Sequence, residues 1–376
     1  MFLTLRELWF ARTRFLLMGA VVALISILMV ILSGLSSGLV TDGVSALQRT
    51  PVQAFAFAEG TKTDSAFSRS VVTDEQVAAW RERPDVAEAA LFGNAIVNAK
   101  TGDGIPVDLT LFGIEPGSFL EPAAAEGRAL QQATDILVSD SARAAGIELG
   151  DTVVVDRLGT ELTVVGFTSD KRTFGHVDVA YVPLSTWQEI HAGVKVGEQP
   201  QPDIYREASV VALQGVDGGL PDLAAGDAAA GTVSKTLEES FDSSPGYSAE
   251  MMTMSMIKAF LYAISALVVG AFFSIWTVQR SRELSVLRAM GASTGFLLRD
   301  GLLHAVVVLV ASVALGVLIG LGLGSGLDGS GMPFALESGP IVQGAVLLIV
   351  LGLVGAAVAV VRITRVDPLT ALGENR

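Results

Sequence analysis

Apolar and polar positions are spread very unevenly along the 376-residue chain. Four stretches, Leu16–Val40, Ala259–Gln279, Gly301–Leu327 and Ser338–Val361, contain no Asp, Glu, Lys or Arg. A helix rises about 1.5 Å per residue, so about 20 residues cross the ~30 Å hydrocarbon core of a bilayer. Each stretch is long enough, and a soluble fold has little use for four helices this apolar. The pattern predicts transmembrane helices over 16–40, 251–279, 301–327 and 339–361. A secretory signal would explain the first, with Val44-Ser45-Ala46 as a cleavage site, but signal cores run only about 7–15 residues.

Between the first two spans, residues 41–250 change period. "DEQVAAWRERPDV" has helical spacing, with Asp74 as N-cap candidate. "AALFGNAIVNAKTGDGIPVDLTLFGIE" reads as two strands around a turn at Gly102-Asp103-Gly104. "DILVSDSARAAGIELGDTVVVDRLGTELTVVGFTSD" reads as strand, helix and a hairpin turned at Leu158-Gly159, and "HVDVAYVPLSTWQEI" as strand then helix. Residues 193–235, rich in Gly, Ala, Asp and Gln, are expected to be loops or weakly ordered connections. The fold class is an α-helical membrane protein of four spans with a mixed α/β extracytoplasmic domain between helices 1 and 2.

Charge orients this arrangement. Lys and Arg favour cytoplasmic flanks. Arg6, Arg12 and Arg14 precede span one, and Arg280, Arg282, Arg288 and Arg299 lie between spans two and three. Arg362, Arg365 and Arg376 follow span four, whereas the 328–338 loop has no basic residue. Both termini and the 280–300 loop are therefore expected in the cytoplasm of a cell-membrane protein. Residues 1–15, with Leu5, Leu8 and Trp9 set against those arginines, suit an interfacial helix, and 362–376 form a cytoplasmic tail. Residues 41–255 hold 14 basic and 32 acidic side chains. Long domains translocate regardless of charge, but this acidity excludes a nucleic-acid partner, which requires a basic face.

Candidate chemistry is sparse. The chain has no Cys, hence no disulfide or thiolate metal site. Its three histidines, His176, His191 and His304, are scattered along the sequence, so no metal site is expected. There is no HExxH or GxxxxGK[ST] motif. No catalytic residue is assigned, and the chain is expected not to be an enzyme.

The charged interruption Arg280–Ser293 is the more informative segment. Leu284, Leu287, Val286 and Met290 form one apolar flank of a short helix, with Glu283, Ser285 and Arg288 on the rest. Gly291 offers a left-handed stop and Ser293 a cap for the next helix. "RELSVLRAMGAS" resembles the loop before the third span in MacB/FtsX-like permeases of ATP-binding-cassette (ABC) transporters. The C-terminal "RITRVDPLTAL" resembles that family's terminal element, and "ILVSDSARAAGIELGDTVVV" its extracytoplasmic core domain. The resemblance implies a homodimer clamped to two copies of a separate ATPase subunit, which holds the ATP. It also implies that Glu283, Leu287, Arg288, Ala289, Gly291 and Ala292 meet that ATPase. Gly34-xxx-Gly38 in span one and Gly316-xxx-Gly320 in span three would allow close helix approach, and Gly34 and Gly38 are the dimer-interface candidates.

Two places suit a substrate. "LMVILSGLSSGLV", containing Met29 and Ser33, is similar to the end of span one in the haem-exporter branch of the family. "YSAEMMTMSMIKAFLY" places Tyr247, Glu250, Met251, Met254 and Lys258 at the entry to span two. Phenolate, carboxylate and thioether groups ligate haem iron, and Lys258 could pair with a propionate. Methionine equally fills gaps, and Lys258 equally snorkels. Phe55, just after span one, could line a lateral entrance or pack the domain. Haem is thus a candidate substrate, with no permanently bound cofactor. Other amphiphiles, or signalling to an external protein without transport, are the alternatives.

Overall fold

The structure, a computed structural model, describes residues 12–279, 286, 290–327 and 332–364. The helices are α1 (Arg12–Gln48), α2 (Ala66–Arg69), α3 (Asp74–Arg81), α4 (Leu184–His191), α5 (Leu223–Ala230), α6 (Leu237–Ser240), α7 (Tyr247–Gln279), α8 (Thr294–Ser325) and α9 (Ser338–Thr364). α1, α7, α8 and α9 are long and apolar enough to cross a membrane. The backbone separates into two compact units, 40–250 and the remainder.

The inserted unit is built on β1 (Ala54–Ala58), β2 (Val72–Thr73), β3 (Val86–Thr101), β4 (Pro106–Ile114), β5 (Glu126–Gly127), β6 (Asp135–Val138), β7 (Thr152–Val155), β8 (Glu161–Phe167), β9 (Thr173–Phe174), β10 (Val177–Pro183), β11 (Glu207–Ala208), β12 (Val210–Gly215) and β13 (Thr232–Thr236). The main sheet runs β13-β1-β12-β3-β4-β10-β6-β8-β5, with β7 beside β3 and β8 and with β9 beside β10. β4–β10 and β6–β8 are parallel pairs. The long β3 joins the two halves, pairing first with β12 and then with β4.

Each face of the sheet buries its own core. On one face Val77 and Trp80 of α3, Trp187 and Ile190 of α4, and Ala230 of α5 cover aliphatic strand residues. Trp187 lies on a seat made by two paired glycines, Gly93 and Gly113. A Cβ on either would come within 2.2 or 2.5 Å of the Trp187 side chain. The opposite face is aromatic. Phe55, Phe67, Phe92, Phe112 and Phe174 meet mostly edge-to-face, with Phe92 and Phe112 centred 4.8 Å apart. That geometry suits the ring quadrupoles.

Two expectations for this unit need correction. The N-cap of α3 is Thr73, not Asp74: its backbone N–H donates to Gln76 Oε1 at 3.0 Å in a capping box. Residues 193–235 are not mainly loops, because β12 lies in the middle of the sheet and α5 and β13 follow it. Val210, Val211, Ala212 and Leu213 are fully buried there, which offsets the helix- and loop-leaning composition around them.

In the helical unit, small residues set the packing. Ser26 Oγ of α1 donates to the Val313 carbonyl of α8 at 3.1 Å. On α8, a Cβ at Gly316 would come within 2.4 Å of the Ala23 carbonyl, and one at Gly320 within 2.8 Å of Val30. Phe15, Phe272 and Trp276 pack edge-to-face, and the fully buried His304 ring lies 5.2 Å from Trp276.

Candidate functional site

Residues at the head of α7 divide by face. Met252 and Met256 are 73 % and 53 % exposed and point outward. Met251, Met254, Lys258 and Tyr262 are half-buried, and the same stripe continues through the buried Ser265, Val269, Phe273 and Thr277. These positions recur every three or four residues, so they share one face. Among the described residues no carboxylate lies within ion-pair distance of Lys258. The stripe therefore presents thioethers and an ammonium group in an otherwise apolar setting, where a charge is costly and usually serves a ligand or pathway.

Met29 is differently placed. It is only 1 % exposed, and its sulfur accepts a hydrogen bond from Ser33 Oγ at 3.7 Å. It fills the space over Gly344, where a Cβ would lie 2.5 Å from Met29 Sδ and 3.1 Å from the Tyr262 hydroxyl. As placed, Met29 and the buried Ser33 are packing residues of the helical unit rather than an open ligand pair. Phe55 lines no entrance: it is fully buried between Phe67 and Phe92 in the aromatic core of the inserted domain.

Gly34 and Gly38 also have a partner within the chain. A Cβ at Gly34 would come within 2.3 Å of the Phe334 ring, and one at Gly38 within 2.2 Å of the Pro333 carbonyl. The Gly34 carbonyl accepts from Ala335 N at 3.0 Å. These glycines seat the 332–336 segment on α1, and Gly316 and Gly320 seat α8 on α1. The close approach at these glycines is to other parts of the same chain and gives no support to the dimer-interface assignment.

Glu250 belongs to a cluster that sequence spacing did not suggest. Its two carboxylate oxygens each lie 3.2 Å from His176 Nε2. The other ring nitrogen, Nδ1, lies 3.0 Å from Asp42 Oδ2 near the end of α1. Asp42 also accepts from Lys171 Nζ at 2.5 Å. His176 sits in the β9–β10 turn with φ +65, directly after Gly175 at φ +58. That turn is fastened to residues 41–45 by Gly175 N to the Gly43 carbonyl at 2.9 Å and Thr173 N to Ser45 Oγ at 2.9 Å. Nearby, burial pushes the Asp178 carboxyl above the usual range, while a hydrogen bond from Ser141 and the Lys171 charge oppose that shift. Tyr247, one turn before Glu250, packs edge-to-face with Phe241 at 6.2 Å. Separations of 134 and 74 residues made the Asp42–His176–Glu250 contacts invisible to spacing; the "FGH" turn was the only local signal.

The 280–293 segment is partly described. Glu283, Leu287, Arg288 and Ala289 lie outside the described residues. Met290 N donates to the Val286 carbonyl at 3.0 Å, a helical bond. Gly291 has φ +96, and Ser293 caps α8 by accepting from Phe296 N at 3.3 Å. Gly291 is exposed and Ala292 half-exposed.

Comparisons with known proteins bear on the whole chain. Residues 16–217 match the profile of the MacB-like periplasmic core domain, and residues 255–368 that of the FtsX-like permease C-terminal region. A candidate hemin transport system permease protein, HrtB, from Staphylococcus haemolyticus is 22 % identical over 373 residues, covering 98 % of both chains. An uncharacterized ABC transporter permease of Mycobacterium tuberculosis is 22 % identical over 374 residues, covering 99 % of both. The macrolide export ATP-binding/permease protein MacB of Wolinella succinogenes is 31 % identical over 127 residues, 33 % of this chain and 20 % of that one. The solved periplasmic region of MacB from Actinobacillus actinomycetemcomitans aligns with a TM-score of 0.36 at 14 % identity, over 50 % of this chain and 90 % of that one.

Proposed function

Because the chain belongs to the MacB- and FtsX-like permeases of ABC transporters, we propose that it is the permease subunit of an efflux transporter for haem or a similar amphiphile. Two copies of the chain work with two copies of a separate ATPase, which grip the 280–293 helix on the cytoplasmic side. Closure of the ATPases on ATP pushes that helix, and the spans and extracytoplasmic domains close together. A short rigid helix suits this role because a flexible loop would absorb the displacement.

The observation that carries the substrate reading is the half-buried stripe Met251, Met254 and Lys258 on α7, which starts directly after Glu250 and runs about two turns along the helix. Thioether and carboxylate are iron ligands, methionine packs well on a flat polarisable ring, and Lys258 is an ammonium without a carboxylate partner among the described residues. Full-length similarity to a hemin permease supports the same choice. Met29 and Ser33 enter only as the wall behind that stripe.

The test is a haemin titration of the full chain in lipid nanodiscs, followed by the Soret band. Saturation near one haemin per two chains, weakened about tenfold or more by Met254→Ala or Glu250→Ala, is expected. An unsaturable titration that ignores both substitutions would remove haem and leave another amphiphile as cargo.

A further inference from the structure

The His176 ring is held on both sides by carboxylates from distant parts of the chain. Asp42 follows the apolar run of α1, and Glu250 precedes the apolar run of α7. In an imidazole the two nitrogens point away from each other, so Asp42 at Nδ1 and Glu250 at Nε2 cannot converge on one ion. The arrangement is a tie rather than a metal site. A neutral ring carries one N–H and donates to one carboxylate; the doubly protonated ring donates to both. Among the described residues, the charged groups around it are Asp42 from α1, Lys171 from the segment just before β9, Asp178 from β10 and Glu250 from α7.

The Glu250 geometry matters most. Nε2 is equidistant, at 3.2 Å, from both carboxylate oxygens, so it occupies the region between them that any ligand of this carboxylate would use. We infer that His176 is the positioning residue of Glu250: in the empty protein it holds that carboxylate, and a ligand binding through Glu250 must displace it. Capture of a cationic or metal-centred group then unties the start of α7 from the end of α1. This inference rests on the reading of Glu250 as a substrate contact. His176 itself stays fastened through Asp42 and the turn bonds of Gly175 and Thr173, so the release is local to Glu250.

Cutting the tie should therefore improve ligand binding rather than impair it. A half-exposed ion pair is worth little, so His176→Phe, which keeps a ring, should tighten haemin binding about two- to fivefold. In a Glu250→Ala background the same substitution should have no effect, because the two act through one contact. A purely structural histidine would give the opposite sign, weakening binding in both backgrounds.

The experiment is this double-mutant cycle on the full chain in nanodiscs, with haemin as probe and Soret titration as readout. Histidine-selective NMR of the ligand-free chain accompanies it. Only three histidines are present, and His176→Phe assigns the signal. Glu250→Gln should move the His176 ring resonance and leave those of His191 and His304 in place. Weaker or unchanged binding by His176→Phe, or a His176 resonance indifferent to Glu250→Gln, overturns the inference. If the wild-type chain binds no haemin while Glu250→Gln still moves that resonance, the tie stands, and both the substrate reading and ligand displacement fail.

Discussion

Asp135, at the start of β6, shows how one carboxylate anchors the inserted domain. Its buried side chain receives two bonds from Arg128, at 2.5 and 2.9 Å, and the N–H groups of Gln131 and Gln132, both at 2.8 Å. Burial alone would raise its pKa; the Arg128 and backbone hydrogen bonds outweigh it and hold the carboxyl below the usual carboxylate range. A depressed folded pKa means stability that is present above the unfolded value, ~3.9, and lost as pH falls through the folded one. Asp135→Asn should cost about 2–3 kcal/mol at neutral pH and flatten the acid limb of thermal stability below about pH 4. Differential scanning of both chains from neutral to acid pH checks this. The residue scale is also where sequence reading failed most. Glu250 was legible as a candidate because its neighbours are methionines and a lysine. His176 was not, since nothing in a linear pattern joins positions 42, 176 and 250. Phe55 read equally well as entrance or core until its neighbours Phe67 and Phe92 were placed around it.

At the scale of elements, glycine spacing in α1 decides how the helical unit packs. Gly34 and Gly38 leave room for Phe334 and the Pro333 backbone, so Gly38→Val must push the 332–336 segment off α1. Thermal stability of the solubilised chain should drop, with the dimer fraction unchanged; loss of dimer at unchanged stability would instead favour the dimer-interface role. GxxxG reads identically in either setting, because it reports close approach and not the partner. The four long helices were legible because an uncharged stretch of that length has few other uses, whereas β12 was hidden among Gly, Ala and Asp. Gly291, at φ +96, follows the helical Val286–Met290 bond in a backbone region that costs an L-residue about 1–2 kcal/mol. Gly291→Val should therefore reduce ATPase stimulation by haemin several-fold in the assembled transporter, while haemin binding by the permease alone remains. Equal ATPase stimulation in the two chains would detach this turn from coupling.

For the whole molecule, the proposed amphiphile site at the head of α7 and the proposed ATP-driven push belong to opposite ends of the same helix. α7 runs without interruption from Tyr247 to Gln279, immediately before the segment proposed to meet the ATPase. The four spans, the inserted α/β domain and the permease family were legible in advance, from the apolar runs, the change of period between the first two and the "RELSVLRAMGAS" segment. Cargo was less legible, since methionine and lysine at a membrane boundary carry more than one meaning. The most direct measurement co-reconstitutes the chain with its ATPase in proteoliposomes loaded with haemin in the bilayer, and follows haemin transfer to an external apo-haemoprotein. The account predicts ATP-dependent transfer that Met254→Ala slows at least about tenfold. Transfer that is indifferent to ATP, at a rate equal to protein-free liposomes, would contradict it.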